Sequence, residues 1–112
     1  MGKPTEECRE LFDEVVEELR VRHPDLQTGS FFSSWAVKIG TKPFACVMDE
    51  IAVFRLSGAE GDAALSLPGA GPFEPMAGRR MNGWVQVPLA QSAEWDALAE
   101  QAYAQLAAQL DA

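Results

Sequence analysis

Phe31-Phe32-Ser33-Ser34-Trp35-Ala36-Val37-Lys38-Ile39 is the stretch where the pattern of this chain changes from helix to sheet. Phe31, Ser33, Trp35, Val37 and Ile39 fall on one face and Phe32, Ser34, Ala36 and Lys38 on the other, the two-residue alternation of a strand. Gly40-Thr41-Lys42 makes a short turn into a second strand over residues 43–48. Asp49-Glu50 turns that into a third over 51–56, which completes a meander of three antiparallel strands. Asp-Glu is a poor pair for a primed turn, so this second connection is expected to be longer than two residues.

Upstream the spacing is helical. Thr5 can cap a helix with Glu6 and Glu7 in its first turn, and Cys8, Leu11, Phe12, Val15, Val16 and Leu19 recur at three- and four-residue intervals. The helix should stop near Arg22, because His23 precedes Pro24. Downstream, residues 57–67 hold Gly58 and Gly61 but also an Ala/Leu-rich run that allows a short helix from near Ala59. Residues 68–75 read as a loop that Gly78 continues, and residues 84–88 as a short strand, placed at an edge because Pro88 cannot donate to a ladder. Ser92 then caps a second long helix, with Trp95, Leu98, Ala99, Ala102, Leu106 and Leu110 as its apolar stripe. The order predicts an α+β domain in which an antiparallel sheet, the meander plus a later strand, packs against N-terminal and C-terminal helices.

At 112 residues with 47% apolar content, the chain is expected to be one domain, residues 1–112, with one core. No apolar run reaches the roughly 18 residues of a membrane span, and the charged N-terminus is unlike a secretory signal, so the expected location is cytoplasmic, away from any membrane. Two cysteines, Cys8 and Cys46, are too few for a disulfide framework, and with the lone His23 they cannot complete a four-ligand zinc site. The net charge of −8 comes from the terminal helices, whereas the centre carries equal numbers of acidic and basic groups. An acidic chain is repelled from nucleic acid at long range, which argues against that class of partner.

Few residues offer chemistry. Arg79 and Trp84 could meet a partner as guanidinium and indole, or could tie a loop and fill core. Lys38, Arg55, Arg79 and Arg80 would form a small basic face if their strands are neighbours, and would otherwise be scattered solvated charges. Gly40-Thr41-Lys42 lacks the glycines of a phosphate loop. Glu6, Glu10, Glu14 and Glu18 repeat every four residues, a like-charge column costing about 0.2–0.5 kcal/mol per pair, relieved by Arg9 and a Glu18 to Arg22 pair. Cys46 with His23 would be the one nucleophile and base available, but a cysteine between Phe44 and Met48 reads as core.

The centre and C-terminal half resemble the TfoX N-terminal domain family of small bacterial proteins. Val37-Lys38-Ile39-Gly40-Thr41-Lys42-Pro43-Phe44-Ala45 follows the family's extended segment, with Phe32 at the Phe of the preceding turn and Arg55 at the basic end of a strand. Phe73, Pro75, Gly78, Arg79, Met81, Trp84, Val85, Val87 and Pro88 match the family's Phe-x-Pro to Trp-Val-x-Val-Pro run, the most specific part. Phe31 and Ser33 depart from it, standing where the family usually has Met and Gly. The resemblance implies a free-standing domain with an antiparallel sheet and flanking helices, no established enzyme activity, no cofactor and an association with regulation. The resulting expectation is a non-catalytic protein-interaction or regulatory domain with an unidentified protein partner or a homodimer, and with Lys38, Arg55, Arg79, Arg80 and Trp84 as candidate interaction residues. The alternatives are a nucleic-acid or phosphate-ligand binder using the central basic residues, and a small enzyme using Cys46.

Overall fold

A computed structural model describes residues 2–31 and 34–111. The chain runs α1 (Glu6–Arg22), β1 (Gln27–Phe31), β2 (Ser34–Ile39), β3 (Lys42–Met48), β4 (Ile51–Arg55), α2 (Gly58–Leu65), β5 (Gly71–Met76), β6 (Arg79–Pro88), a 3₁₀ segment (Leu89–Glu94) and α3 (Trp95–Leu110). The six strands form one antiparallel sheet in the order β1-β2-β3-β4-β6-β5. The expected α+β architecture is therefore present, with two more strands than the alternation suggests.

Both additions have a local reason. The expected strand through residues 31–39 is the second arm of a hairpin, in which Phe31 pairs with Ser34 and Gln27 with Lys38. Phe31 thus lies on the face of Ser34 and Ala36 and not with Trp35, Val37 and Ile39. Phe32 and Ser33, expected inside that strand, lie outside the described residues. β5 occupies the end of the expected loop and pairs with a longer β6 through a turn at Ala77 and Gly78, whose φ of 78° suits glycine. β6 is consequently internal, between β4 and β5, and not an edge strand. Pro88 is tolerated because it is the last residue of β6, opposite Ile51. The edge on that side of the sheet, β5, carries Pro72 and Pro75, which fits the confinement of proline to edges.

The Asp49-Glu50 connection is two residues long after all, since Met48 pairs with Ile51. Tertiary hydrogen bonds support its poor turn chemistry. Asp49, at φ 46°, accepts the Thr5 N–H on its carbonyl (3.0 Å) and the Gly2 N–H on its carboxylate (3.1 Å), while the Glu50 carbonyl accepts the Leu89 N–H (2.8 Å). Thr5 caps α1 as expected, its hydroxyl accepting the Cys8 N–H. Ser92 does not cap α3; it lies in the 3₁₀ segment, and α3 starts at Trp95 without a side-chain cap.

α1 and α3 pack on one face of the sheet, where Cys8, Phe12, Val16 and Leu19 meet Val37, Phe44, Phe54, Val85, Trp95 and Leu106. A second buried cluster fills the other face: Ala36, Cys46, Met48, Val53, Phe73 and Trp84, flanked by Phe31, Ile51 and Met81. Curvature explains how a face with no helix becomes buried. In a flat sheet β1 and β6 would stand four strand spacings apart, roughly 19 Å. Here the Phe31 and Trp84 rings are stacked with centroids 5.1 Å apart, so the sheet rolls until its first strand meets its fifth.

α2 seats against β6 and the end of β4 through Gly61. A Cβ there would stand 2.8 Å from the Leu56 carbonyl oxygen. Alanine normally stabilises a helix by up to about 1 kcal/mol over glycine. Gly61→Ala should instead destabilise this protein by about 1–3 kcal/mol in urea unfolding, because the obstacle is backbone and cannot rotate away. A neutral or stabilising result would show that α2 can lift off without cost.

Candidate functional site

The residues able to do covalent chemistry are withdrawn from solvent. Cys46 is fully buried in the cluster beneath the rolled sheet, and burial pushes its thiol up to about 12. Cys8 is buried on the helix side, where burial first, and then Glu50, Glu7 and Asp49, push its thiol up to about 11. His23 is on the helix side too, so the sheet separates it from Cys46 and the two do not form a nucleophile and base.

His23 belongs to a clasp between α1 and α3. Its ring stacks on Tyr103 (centroids 3.6 Å apart), and Tyr103 meets Phe44 edge-on. The His23 Nε2 lies 3.0 Å from the Glu100 carboxylate, to which the Arg22 Nε also donates at 2.7 Å. Arg22 further reaches Asp96, so it crosses to α3 in place of the expected pairing with Glu18. Partial burial pushes the Glu100 carboxyl up, but hydrogen bonds from Arg22 and His23 outweigh it and hold the group below its ordinary value. A carboxyl lowered by folding contributes stability that is complete above its unfolded value and is lost as pH falls through the lowered one. Glu100→Gln should therefore flatten the acid limb of a stability-against-pH curve. At neutral pH it should cost less than about 1 kcal/mol, because the pair is well exposed to water. An unchanged acid limb would show that the clasp does not couple to folding.

The carboxylate column of α1 is an exposed face. Glu10, Asp13, Glu14, Glu17 and Glu18 line it, with Arg9 bonded to Asp13 (3.0 Å) and Arg20 to Glu17 (3.4 Å). The guanidinium of Arg9 also lies over the Trp35 ring, 4.5 Å from its centroid. Among the described residues no group of three or more His, Cys, Asp or Glu side chains could hold a metal ion, and no helix is long and apolar enough to cross a membrane.

The expected basic face is only partly assembled. Arg55 ends β4 directly opposite Trp84 on β6, so guanidinium and indole leave the sheet side by side. Arg79 and Arg80 stand at the far end of the β5–β6 hairpin, exposed, and the Arg80 Nε donates to Glu74 (3.2 Å). Lys38 lies on β2, its ammonium passing over Gly29 of β1. The expected pairing of Arg79 with Trp84 gives way to Arg55 with Trp84, because four residues of strand separate the first two whereas cross-strand register joins the second.

Arg55 and Trp84 share a groove of about 500 Å³ whose other walls include Phe31, Lys42, Met81 and Leu110. It opens where the rolled sheet meets the C-terminal turn of α3. Leu110 is 45% exposed there, while Trp84 is 8% exposed and forms the floor. Among the described residues neither Lys42 nor Arg55 makes an ion pair. Lys42, Phe31 and Leu110 were not legible as site residues, because their convergence depends on the roll of the sheet. Comparison with protein-family models, curated proteins and solved structures finds no match to this chain.

Proposed function

We propose that this chain is a TfoX N-terminal-type domain that acts without catalysis, as a cytoplasmic bacterial interaction or regulatory domain, and that it makes its contact through the Arg55–Trp84 groove. The observation that carries the reading is the contrast between its two kinds of polar chemistry. Both thiols are buried and pushed toward the unreactive form, whereas a half-buried Arg55 and an exposed Lys42 line one groove with an indole, and arginine and tryptophan are the side chains enriched at interaction hot spots. The resemblance in residues 73–88 supports the same reading, since Phe73, Val85 and Val87 are core residues and Trp84 is the groove floor.

Affinity capture from an extract of the source cells tests it, using the tagged chain beside an Arg55→Glu variant of unchanged circular dichroism. A protein retained by the wild type and lost by the variant is the expected result. Identical retention by both, or no retained protein, overturns the reading. Salt-dependent retention of mixed-sequence DNA or RNA would replace it with the nucleic-acid alternative.

A further inference from the structure

The groove shows more than an unassigned contact surface. The chain holds nearly two acidic residues for each basic one, and the cations of Arg9, Arg20, Arg22 and Arg80 all have carboxylate partners. Among the described residues Lys42 and Arg55 do not, in common with Lys3, Lys38 and Arg79, but they alone of these line the same groove as Trp84, and no described carboxylate lines it. Arg55 is half-buried between Trp84 and the end of α3, where an unmatched guanidinium loses hydration without gaining an anion. The remaining wall is mostly apolar: Phe31, Pro43, Met81, Leu106 and Leu110 accompany the Trp84 ring, with Gln109 as its one neutral polar side chain among the described residues. A volume of about 500 Å³ falls within the range of small-molecule sites and is well above what a bare inorganic ion fills.

We propose that this groove binds a small organic monocarboxylate, its carboxylate on the Arg55 guanidinium with Lys42 beside it, and its aliphatic or aromatic body on Trp84, Met81 and Leu110. The inference rests on the reading of the groove as the contact site and adds the chemical class that it takes. Arginine presents a planar fork matched to a carboxylate. A phosphate dianion fits less well, because the groove adjoins the C-terminal end of α3, the negative pole of that helix, and offers no helix N-terminus or glycine-rich loop as counterweight. The apolar body supplies the rest of the affinity by leaving water against the indole and the Met and Leu side chains.

Decanoate, kept below its aggregation concentration, is the probe, with decanol and inorganic phosphate as comparators, each titrated into the full chain and followed by amide NMR. Saturable binding of decanoate is expected, with the largest shifts at Arg55, Trp84 and Met81 and an affinity that falls with added salt. Arg55→Gln should weaken it about tenfold or more and Arg55→Lys should restore part, as expected for loss and partial return of a charge-assisted hydrogen bond. Lys42→Gln, which changes an exposed side chain at the start of β3, should weaken it by a smaller factor. Equal affinity for decanol, tighter binding of phosphate, unchanged binding by both Gln variants, or no saturable binding overturns the proposal. Failure here with Arg55-dependent protein capture intact sinks the ligand class alone, whereas decanoate binding without such capture sinks the interaction reading.

Discussion

Trp95→Ala is expected to destabilise the protein by about 3–5 kcal/mol, the range for deleting a large buried aromatic, while Trp95→Phe should cost less than about half as much. Trp95 opens α3, is completely buried, and ranks among the largest side chains of the core between the helices and the sheet. Its removal takes away both apolar transfer energy and packing in the cluster shared by the helices and the sheet. Phenylalanine keeps most of that area and leaves a smaller gap. It also removes a liability, because the Trp95 Nε1–H is buried without a hydrogen-bond partner among the described residues, and such a donor costs a folded protein about 1–3 kcal/mol. The lost volume and the relieved donor therefore offset one another in the Phe variant. Urea unfolding followed by circular dichroism measures both variants. If Phe proves as damaging as Ala, the indole N–H is bonded in solution and the offset does not exist.

The residues that made the fold legible are those whose pattern is local. Thr5, the stripe from Cys8 to Leu19 and the His23-Pro24 stop define α1 without reference to anything distant. The alternation of Trp35, Val37 and Ile39 likewise marks β2 because one face of that strand is helix-covered. β1 escaped notice because Gln27-Thr28-Gly29-Ser30 has no apolar alternation; as an edge strand its side chains are mostly exposed, so burial never imposed a pattern. β5 escaped because Gly71, Pro72 and Pro75 are punctuation in most settings and are permitted here only by its edge position. Without β5, β6 reads as an edge, although it lies between β4 and β5. The groove was less legible than the fold. Arg55 and Trp84 were both suspect, but their adjacency is a matter of β4–β6 register, and Phe31 joins them only because the sheet rolls. None of these is encoded at short range.

That roll underlies the second large effect. Trp84→Ala should also cost about 3–5 kcal/mol, and it should do so by opening one face of the sheet while the helix side stays closed. Trp84 stacks on Phe31 across the rolled face and belongs to the cluster that covers Cys46. The aromatic pair contributes about 0.5–1.5 kcal/mol beyond its buried area, so Trp84→Phe should retain most of the closure and Trp84→Ala little of it. The two cysteines report which face opens. In the wild type both are buried and protonated at neutral pH, so both should resist a maleimide reagent. In Trp84→Ala, position-resolved mass spectrometry should show Cys46 labelled many times faster than in the wild type, with Cys8 still protected between α1 and the sheet. Equal acceleration at both sites would mean that the substitution acts through global unfolding. No acceleration at Cys46 would mean that the roll is held by the backbone and not by the Phe31–Trp84 stack, and the groove, whose floor is the same indole, would then owe its shape to strand geometry alone.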